Sequence, residues 1–255
     1  MTPKLLPLAL VLASVPVYAV EPEEVSSKQK EHVWSGDIEF GYSHFTGNTE
    51  ETNTVGKFLI NRESAPWKWQ TFVEGLSKTK EGERSDERYA MFTRIEYHFT
   101  EKNYLFGRTS YEEDKFSGYE RQYTGTAGLG WNLYELETLS WDSEIGIGYR
   151  YAATEDVYDD DTGSLLALGE EQKEAIIRLA TGLTWEFSEN AKFTQTLSTE
   201  QGDENNVSTS KTAIQLKIIG ELALKLSYDV KYIEKVPLDT KHTDTETVVT
   251  LSYSF

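Results

Sequence analysis

Cysteine is absent from the 255 residues, and positive charge is scarce beside negative charge. Without cysteine the chain has no disulfide framework, and no lipid can be attached through an N-terminal thiol. The 43 Asp and Glu residues outnumber the 25 Lys and Arg residues, which gives a formal net charge of −18. Nucleic-acid phosphates are recognised by clustered Lys and Arg, so we expect no nucleic-acid partner.

Long hydrophobic runs are also missing beyond the N-terminus. No later segment reaches the roughly eighteen apolar residues of a helical membrane span, which excludes such spans. The lack of long apolar runs does not exclude a transmembrane β-barrel, because only alternate residues of its strands meet lipid.

The one apolar run is "LLPLALVLASVPV", which follows Lys4 and precedes "VYA". This order is typical of a secretory signal peptide, and it predicts cleavage after Ala19. A membrane anchor is the alternative, but the run is too short to span a bilayer and contains two prolines. We therefore expect a signal peptide at 1–19, a short periplasmic segment at 20–33 and one folded domain at 34–255.

Period-two alternation dominates the rest of the chain and indicates β-strands. In the final "VVTLSYSF", apolar residues at 249, 251, 253 and 255 alternate with small or polar ones. The pattern predicts an all-β fold, a 12-stranded antiparallel up-and-down transmembrane β-barrel. Its strands are expected at 34–45, 51–62, 67–78, 88–99, 103–113, 121–133, 139–152, 174–187, 191–200, 209–219, 221–233 and 245–255.

The connections between these strands alternate in length, as in barrels with short periplasmic turns and longer outer loops. Short ones are expected at 63–66, 100–103, 134–138, 188–191 and 219–222. Mostly longer, polar ones are expected at 45–51, 80–87, 114–120, 154–172, 202–210 and 234–244. A soluble secreted barrel or sandwich is the alternative, in which the apolar row would form an inner core.

Aromatic residues favour the membrane barrel. All six Trp residues fall near the chain termini or short turns, whereas many Tyr residues fall near the longer loops. Two belts at two heights suit rings that prefer the boundary between hydrocarbon and headgroups. The predicted interface residues are Trp34, Trp67, Trp131, Trp141, Trp185, Tyr42, Tyr151, Tyr232 and Phe255.

Charged residues occupy the other row, which would face the lumen. The predicted lumen residues are Asp37, Glu39, Lys57, Arg94, Glu96, Asp142, Glu144, Arg150, Arg178, Glu186, Lys217, Lys225, Asp229 and Lys231. Eight strands give a filled interior and sixteen give an open channel, so twelve leaves two hypotheses. The charges either pair and plug the lumen, or they line a narrow polar pore for ions or small charged solutes. With a plugged lumen, the barrel would be structural or would serve surface binding or adhesion through its acidic loops, especially the loop at 153–172.

Several stretches together resemble one family. In chain order they are "WSG" at 34–36, "TGNT" at 46–49, "YLFGR" at 104–108, "YEEDKFSGYERQ" at 111–122, "GLG" at 128–130 and "EIGIGYR" at 144–150. They resemble the salt-induced outer membrane protein family, which is catalogued as a domain of unknown function. The resemblance implies an outer-membrane barrel of Gram-negative bacteria and a link to salt or ionic stress. It brings no activity, substrate or catalytic residue.

No motif strongly indicates a catalytic site or a metal-binding site. Asp159, Asp161 and Glu170 match positions one, three and twelve of a calcium loop, but a glycine stands at position five. A solvated acidic loop is the competing interpretation. The four His residues show no lipase-like pattern, so we expect neither an enzyme nor a cofactor. A protease site at the rim of the barrel is the alternative. The expected partners are membrane lipid, lipopolysaccharide and, through the terminal aromatic Phe255, the barrel assembly machinery.

Overall fold

The computed structural model describes residues 33–45, 51–114, 119–154, 157–158, 165–236 and 241–255. The predicted signal peptide at 1–19 and most of the segment at 20–33 lie outside these residues. In the part described, no helix is long and apolar enough to cross a membrane.

Strands account for most of the described chain. They are β1 Val33–Phe45, β2 Glu51–Ser64, β3 Trp67–Lys80, β4 Glu83–His98, β5 Asn103–Asp114, β6 Tyr119–Glu135, β7 Leu139–Thr154, β8 Val157–Tyr158, β9 Leu165–Ala167, β10 Glu171–Ser188, β11 Ala191–Gly202, β12 Asn206–Ile219, β13 Leu222–Ile233 and β14 Thr243–Ser254. All except β8 and β9 form one closed antiparallel barrel. The predicted twelve-stranded barrel is confirmed.

Each barrel strand pairs with the barrel strands before and after it in the chain, as expected of an up-and-down barrel. The short strands β8 and β9 pair only with each other, so β7 pairs directly with β10. The barrel closes where β1 meets β14. That seam has four registered residue pairs, whereas β13 and β14 share eleven.

Burial is inverted relative to a soluble protein. Ile147, on the outward row of β7, is 72% exposed, whereas Arg150 on the inward row is 2% exposed. The same contrast recurs on β13, where Leu224 and Leu226 are exposed outside and Ser227 is buried inside. A band of exposed aliphatic side chains is stable only against lipid, because water would favour burying it.

The barrel has two distinct ends. The terminal end carries Val33, Phe255 and the connections at 65–66, 99–102, 136–138, 189–190 and 220–221. All five connections are short, as predicted. The opposite end, here called the loop end, carries the remaining connections.

Two connections at the loop end are shorter than predicted, so the expected loops at 80–87 and 202–210 are wrong. Strands β3 and β4 are joined by Glu81 and Gly82 alone, with φ angles of 53° and 86°. Positive φ at both residues is the geometry of a tight hairpin turn that matches strand twist. Strands β11 and β12 are joined by residues 203–205. Most of the polar residues counted as loop therefore extend the strands.

Glycines let β6 and β7 approach closely inside the barrel. A Cβ atom added at Gly128 would lie 2.1 Å from the Ile145 carbonyl oxygen and 2.5 Å from the Gly146 Cα. At Gly125, on the outward row of the same strand, an added Cβ would meet nothing within 4 Å. The inward glycines thus set the spacing of these two strands.

Candidate functional site

The strand register turns one parity of each barrel strand toward the lumen. The predicted lumen residues all have this parity, because their register partners also face inward. Glu186 and Lys217 are exposed near the terminal end. The buried or half-buried ones are Asp37, Glu39, Lys57, Arg94, Glu96, Asp142, Glu144, Arg150, Arg178, Lys225, Asp229 and Lys231.

One group of ion pairs lies along β2, β3, β4 and β14. Lys57 Nζ is 3.0 Å from Glu74 Oε2, and Arg88 Nη2 is 2.8 Å from Glu74 Oε1. Arg88 also reaches Glu246, at 2.6 Å. Arg88 and Glu246 belong to β4 and β14, so this contact bridges strands that are not neighbours.

The seam between β1 and β14 has polar contacts of its own. Lys225 Nζ donates to Glu39 Oε1 at 2.5 Å, and Thr250 Oγ1 donates to Glu39 Oε2 at 3.1 Å. Ser254 Oγ donates to Asp37 Oδ1 at 2.6 Å. These bonds satisfy two acidic groups that would be costly to bury alone.

A second group of ion pairs lies along β4, β7 and β10. Arg94 donates to Glu96 at 2.9 Å and also bonds Glu144, which accepts a further hydrogen bond from Tyr104. Arg150 is held by Glu174, with Nη2 2.5 Å from Oε1.

Two side chains cross the lumen. Lys231 on β13 donates to Glu112 on β5 at 2.7 Å, and five strands separate β13 from β5 in either direction around the barrel. The Lys211 ammonium on β12 lies 5.9 Å from the ring centroid of Phe72 on β3. Lys211 has a 51% exposed side chain, so open space surrounds this crossing. The sequence predicted neither Lys211 nor Glu112.

The lumen walls differ in bulk. Strands β3 and β4 contribute Phe72 and Phe92, whose stacked rings are 5.4 Å apart. The opposite wall, on β11 and β12, contributes mainly small polar side chains such as Thr194, Thr196 and Thr209. Open space therefore lies nearer β11 and β12.

A cavity of about 310 Å³ opens at the terminal end of the lumen. Its deeper lining includes Arg94, Glu96, Tyr104 and Asp142. His98 extends this polar lining, since its Nε2 lies 2.8 Å from Glu96 Oε2. The mouth of the lumen is thus polar and carries both signs of charge.

At the loop end, beyond the membrane-spanning part of β10, Glu171 carries two hydrogen bonds. Lys173 Nζ and the Tyr151 hydroxyl each donate to it at 2.9 Å. Stabilisation of the carboxylate by Lys173, and then by Tyr151, holds the pKa of Glu171 below its usual value.

Aromatic rings cluster on the barrel exterior at both ends. Near the terminal end, Trp67 and Tyr97 lie 4.9 Å apart between ring centroids. Near the loop end, Tyr111, Tyr123 and Tyr151 form a chain with centroid distances of 4.8 Å and 6.1 Å. Their contact with lipid headgroups stays a prediction.

The predicted calcium site falls largely outside the described residues, since Asp159 and Asp161 are not among them. Glu170 is described and lies exposed between β9 and β10. Within the described part of the chain, no group of three or more His, Asp or Glu residues is placed to hold a metal ion. The expectation that the protein is not an enzyme stays a prediction.

Solved structures similar to the chain are barrels with low sequence identity. The NanC porin is 14% identical with a TM-score of 0.47, covering 86% of this chain and 98% of its own. The translocator domain of the autotransporter NalP from Neisseria meningitidis is 12% identical with a TM-score of 0.49, covering 87% of each chain. No solute or mechanism transfers from them.

Sequence comparison gives a closer relationship. The uncharacterized protein YdiY of Escherichia coli strain K12 is 29% identical over 240 residues, which cover 93% of this chain and 88% of the relative. Residues 38–255, almost the whole barrel, match the family described as protein of unknown function DUF481. The chain therefore belongs to the DUF481 family.

Proposed function

We propose that the protein is a narrow passive channel for small ions or small charged solutes in a bacterial outer membrane. The supporting observation is the pair of lysines that cross the lumen, Lys211 and Lys231. A lumen closed for purely structural reasons would be filled by tightly packed side chains. Here the constriction consists of flexible lysine side chains, one of them half exposed.

The outer-membrane location is part of the proposal. A closed barrel with lipid-facing aliphatic side chains and a polar lumen suits that membrane. The predicted signal peptide at 1–19 would direct the chain out of the cytoplasm, and the terminal Phe255 would present it to the barrel assembly machinery. Fractionation of a Gram-negative cell expressing the full chain tests this, and recovery with the inner membrane would contradict it.

The proposed pathway runs along β11 and β12, where the lumen wall is least bulky. Ions would enter the cavity at the terminal end, pass Lys211 and Lys231, and leave at the loop end. Lys231 is paired with Glu112, so the half-exposed Lys211 carries the most accessible charge at the constriction, and anions should pass more readily than cations.

Planar-bilayer recording tests the pathway. Replacing Lys211 and Lys231 with Ala should raise single-channel conductance several-fold, because two long side chains leave the constriction. Lys231→Glu should shift selectivity toward cations. Lys217→Ala, at the exposed terminal rim, is the matched control and should leave conductance unchanged.

A structural barrel with a plugged lumen is the competing function, and the dense ion pairs of β2, β3 and β4 favour it. It predicts no conductance from wild-type protein whose migration on a detergent gel shifts on heating, as a folded barrel's does. If Lys211→Ala and Lys231→Ala together still conduct nothing, the channel proposal is wrong.

A role in ionic stress is also proposed, on the family resemblance alone. Deleting the gene should then slow growth selectively in high salt, and a plasmid copy should restore it. Equal growth of the mutant and parent strains across salt concentrations would exclude this role.

A further inference from the structure

Three lumen arginines on three strands, Arg94, Arg108 and Arg178, differ in how closely carboxylates hold them. Arg94 is held by two carboxylates. Arg108, directly opposite Arg94 in the β4–β5 register, forms no ion pair within the described residues. Its contacts are a 3.0 Å hydrogen bond from Nη1 to Ser110 Oγ and the ring of Phe92, whose centroid is 4.9 Å from Cζ. Like charges directly opposite one another repel, so this pair needs compensation.

Arg178 on β10 lies near two carboxylates, but two of its nitrogen atoms form no hydrogen bond with them. Its residue is 8% exposed, and both Nε and Nη1 are buried without a hydrogen-bond acceptor in the described structure. The nearby carboxylate oxygens of Glu200 and Glu144 lie at 3.8 Å and 4.0 Å. These distances exceed those of N–H···O hydrogen bonds.

A third donor lies beside Arg108. Thr126 on β6 is directly opposite Arg108 in the β5–β6 register, and its buried Oγ1 lacks a hydrogen-bond partner in the described residues. Arg178 and Arg94 approach the same carboxylate, Glu144, and Arg94 lies opposite Arg108, so the three arginines surround one part of the lumen. Unpaired buried donors of this kind are uncommon in native proteins.

We infer that Arg108, Arg178 and Thr126 form a binding site for one small monovalent anion, of the size of a halide or formate. The anion would accept hydrogen bonds from the unpaired N–H groups of Arg178 and from the Thr126 hydroxyl. It would also offset the repulsion among Arg94, Arg108 and Arg178.

The surrounding carboxylates limit the charge of the ligand. Glu144 Oε1 is already engaged by Arg94 and Tyr104, and Glu200 also faces Arg150 at 3.7 Å. These acids are therefore held and not free to close on Arg108. Their negative charge also disfavours a dianion such as sulfate, so a single charge fits best.

Bromide provides the direct test, because its anomalous scattering separates it from water. Crystals of the full chain grown in sodium bromide should show an anomalous peak between Arg108, Arg178 and Thr126. The same peak should be absent from Arg108→Gln and should persist in Lys211→Met, which removes a lumen lysine elsewhere. The inference is wrong if wild-type crystals show no bromide there, or if the peak survives in Arg108→Gln.

A solution measurement covers the case in which Arg108→Gln fails to fold. The temperature at which wild-type barrel loses its folded gel mobility should be higher in sodium bromide than in sodium gluconate of equal ionic strength. Equal temperatures in both salts would also overturn the inference. Neither readout requires conduction, so a barrel without conductance could still have the site, and a conducting barrel could lack it.

Discussion

Most charged residues inside the barrel follow one physical rule, which is that a buried charge is held by an opposite charge, and Arg108 is an exception within the described residues. Arg150 is the clearest case, since it is enclosed and paired with Glu174 at 2.5 Å. Glu174 also accepts hydrogen bonds from the backbone amides of Glu204 and Asn205, at 2.7 Å and 3.2 Å. One carboxylate thus joins the ion pair to the β11–β12 connection.

Arg150→Met should destabilise the barrel by about 3–5 kcal/mol, because it leaves a buried carboxylate without its cation. Lys217→Met removes an exposed lysine of the lumen face and should change stability by less than about 0.5 kcal/mol. Urea unfolding from lipid vesicles, followed by tryptophan fluorescence, measures both variants. Similar free energies of unfolding for the two would contradict the role of the Arg150–Glu174 pair.

Lys173→Met should raise the pKa of Glu171 toward its usual value of 4.5, because the largest stabilising interaction of the carboxylate is lost. Tyr151 still donates in this variant, so the rise should be incomplete. Titration of labelled glutamate carboxyl carbons by NMR measures it. Lys235→Met, a lysine distant from Glu171 in the chain, is the control, and an unchanged pKa in Lys173→Met would refute the assignment.

Sequence alternation identified inward charges where one row is cleanly polar, but alternation is weaker in β2, β5 and β11, so it did not fix which face of these strands points inward. The inward row of β5 carries Tyr104 and Phe106 beside Arg108, so apolar and charged residues share one face. Such a row does not resemble either face of an amphipathic strand. The lack of an ion pair at Arg108 within the described residues was therefore visible only once its register neighbours were known.

Strands β6 and β7 pack closely at inward glycines, and two glycines of β6 on opposite faces provide a matched pair of variants. Gly128→Ala should lower stability by more than about 2 kcal/mol, because its methyl group would collide with the backbone of β7. Gly125→Ala, on the outward row, should be neutral or stabilising by up to about 1 kcal/mol, because alanine restricts the unfolded chain. Urea unfolding in vesicles compares them, and an equal cost at both sites would refute the close-approach argument.

Tight turns explain why two loops were overestimated. Acidic and basic residues fill both the predicted loop at 80–87 and the strand ends that replace it. Strands that extend beyond the membrane meet water on their outer faces, so their outward residues lose the apolar signature. Polarity alone therefore could not separate a protruding hairpin from a loop.

At the scale of the whole molecule, stability depends on the surrounding solvent being lipid. Ile147→Arg should destabilise the barrel in vesicles by about 2–4 kcal/mol, the range known for Arg near a bilayer midplane. Leu168 is 70% exposed but lies outside the barrel strands, so Leu168→Arg should change stability by less than about 0.5 kcal/mol. Equal effects in urea unfolding from vesicles would mean that Ile147 does not face lipid.

Strand number, closure and facing could be predicted because each depends on local alternation and connection length. Contacts across the lumen could not, because parity fixes which face a residue occupies but not its height. Lys231 and Glu112 are far apart in sequence and meet because β13 lies opposite β5 in the ring of strands and the stagger of the strands brings both residues to one height. Strand tilt determines which residues lie at the same height across the lumen, and it is a property of all twelve strands together.

The short pairing between β1 and β14 makes closure of the barrel depend on the last residues of the chain. Its ladder joins Asp37–Phe40 to Leu251–Ser254, and the amide and carbonyl of Phe255 bond those of Gly36 at 2.9 Å. Losing even the last three residues of the chain would remove half of those four pairs. The barrel would then become an open sheet with two edges whose backbone groups lack hydrogen bonds in hydrocarbon, so the final residues are required to close the barrel.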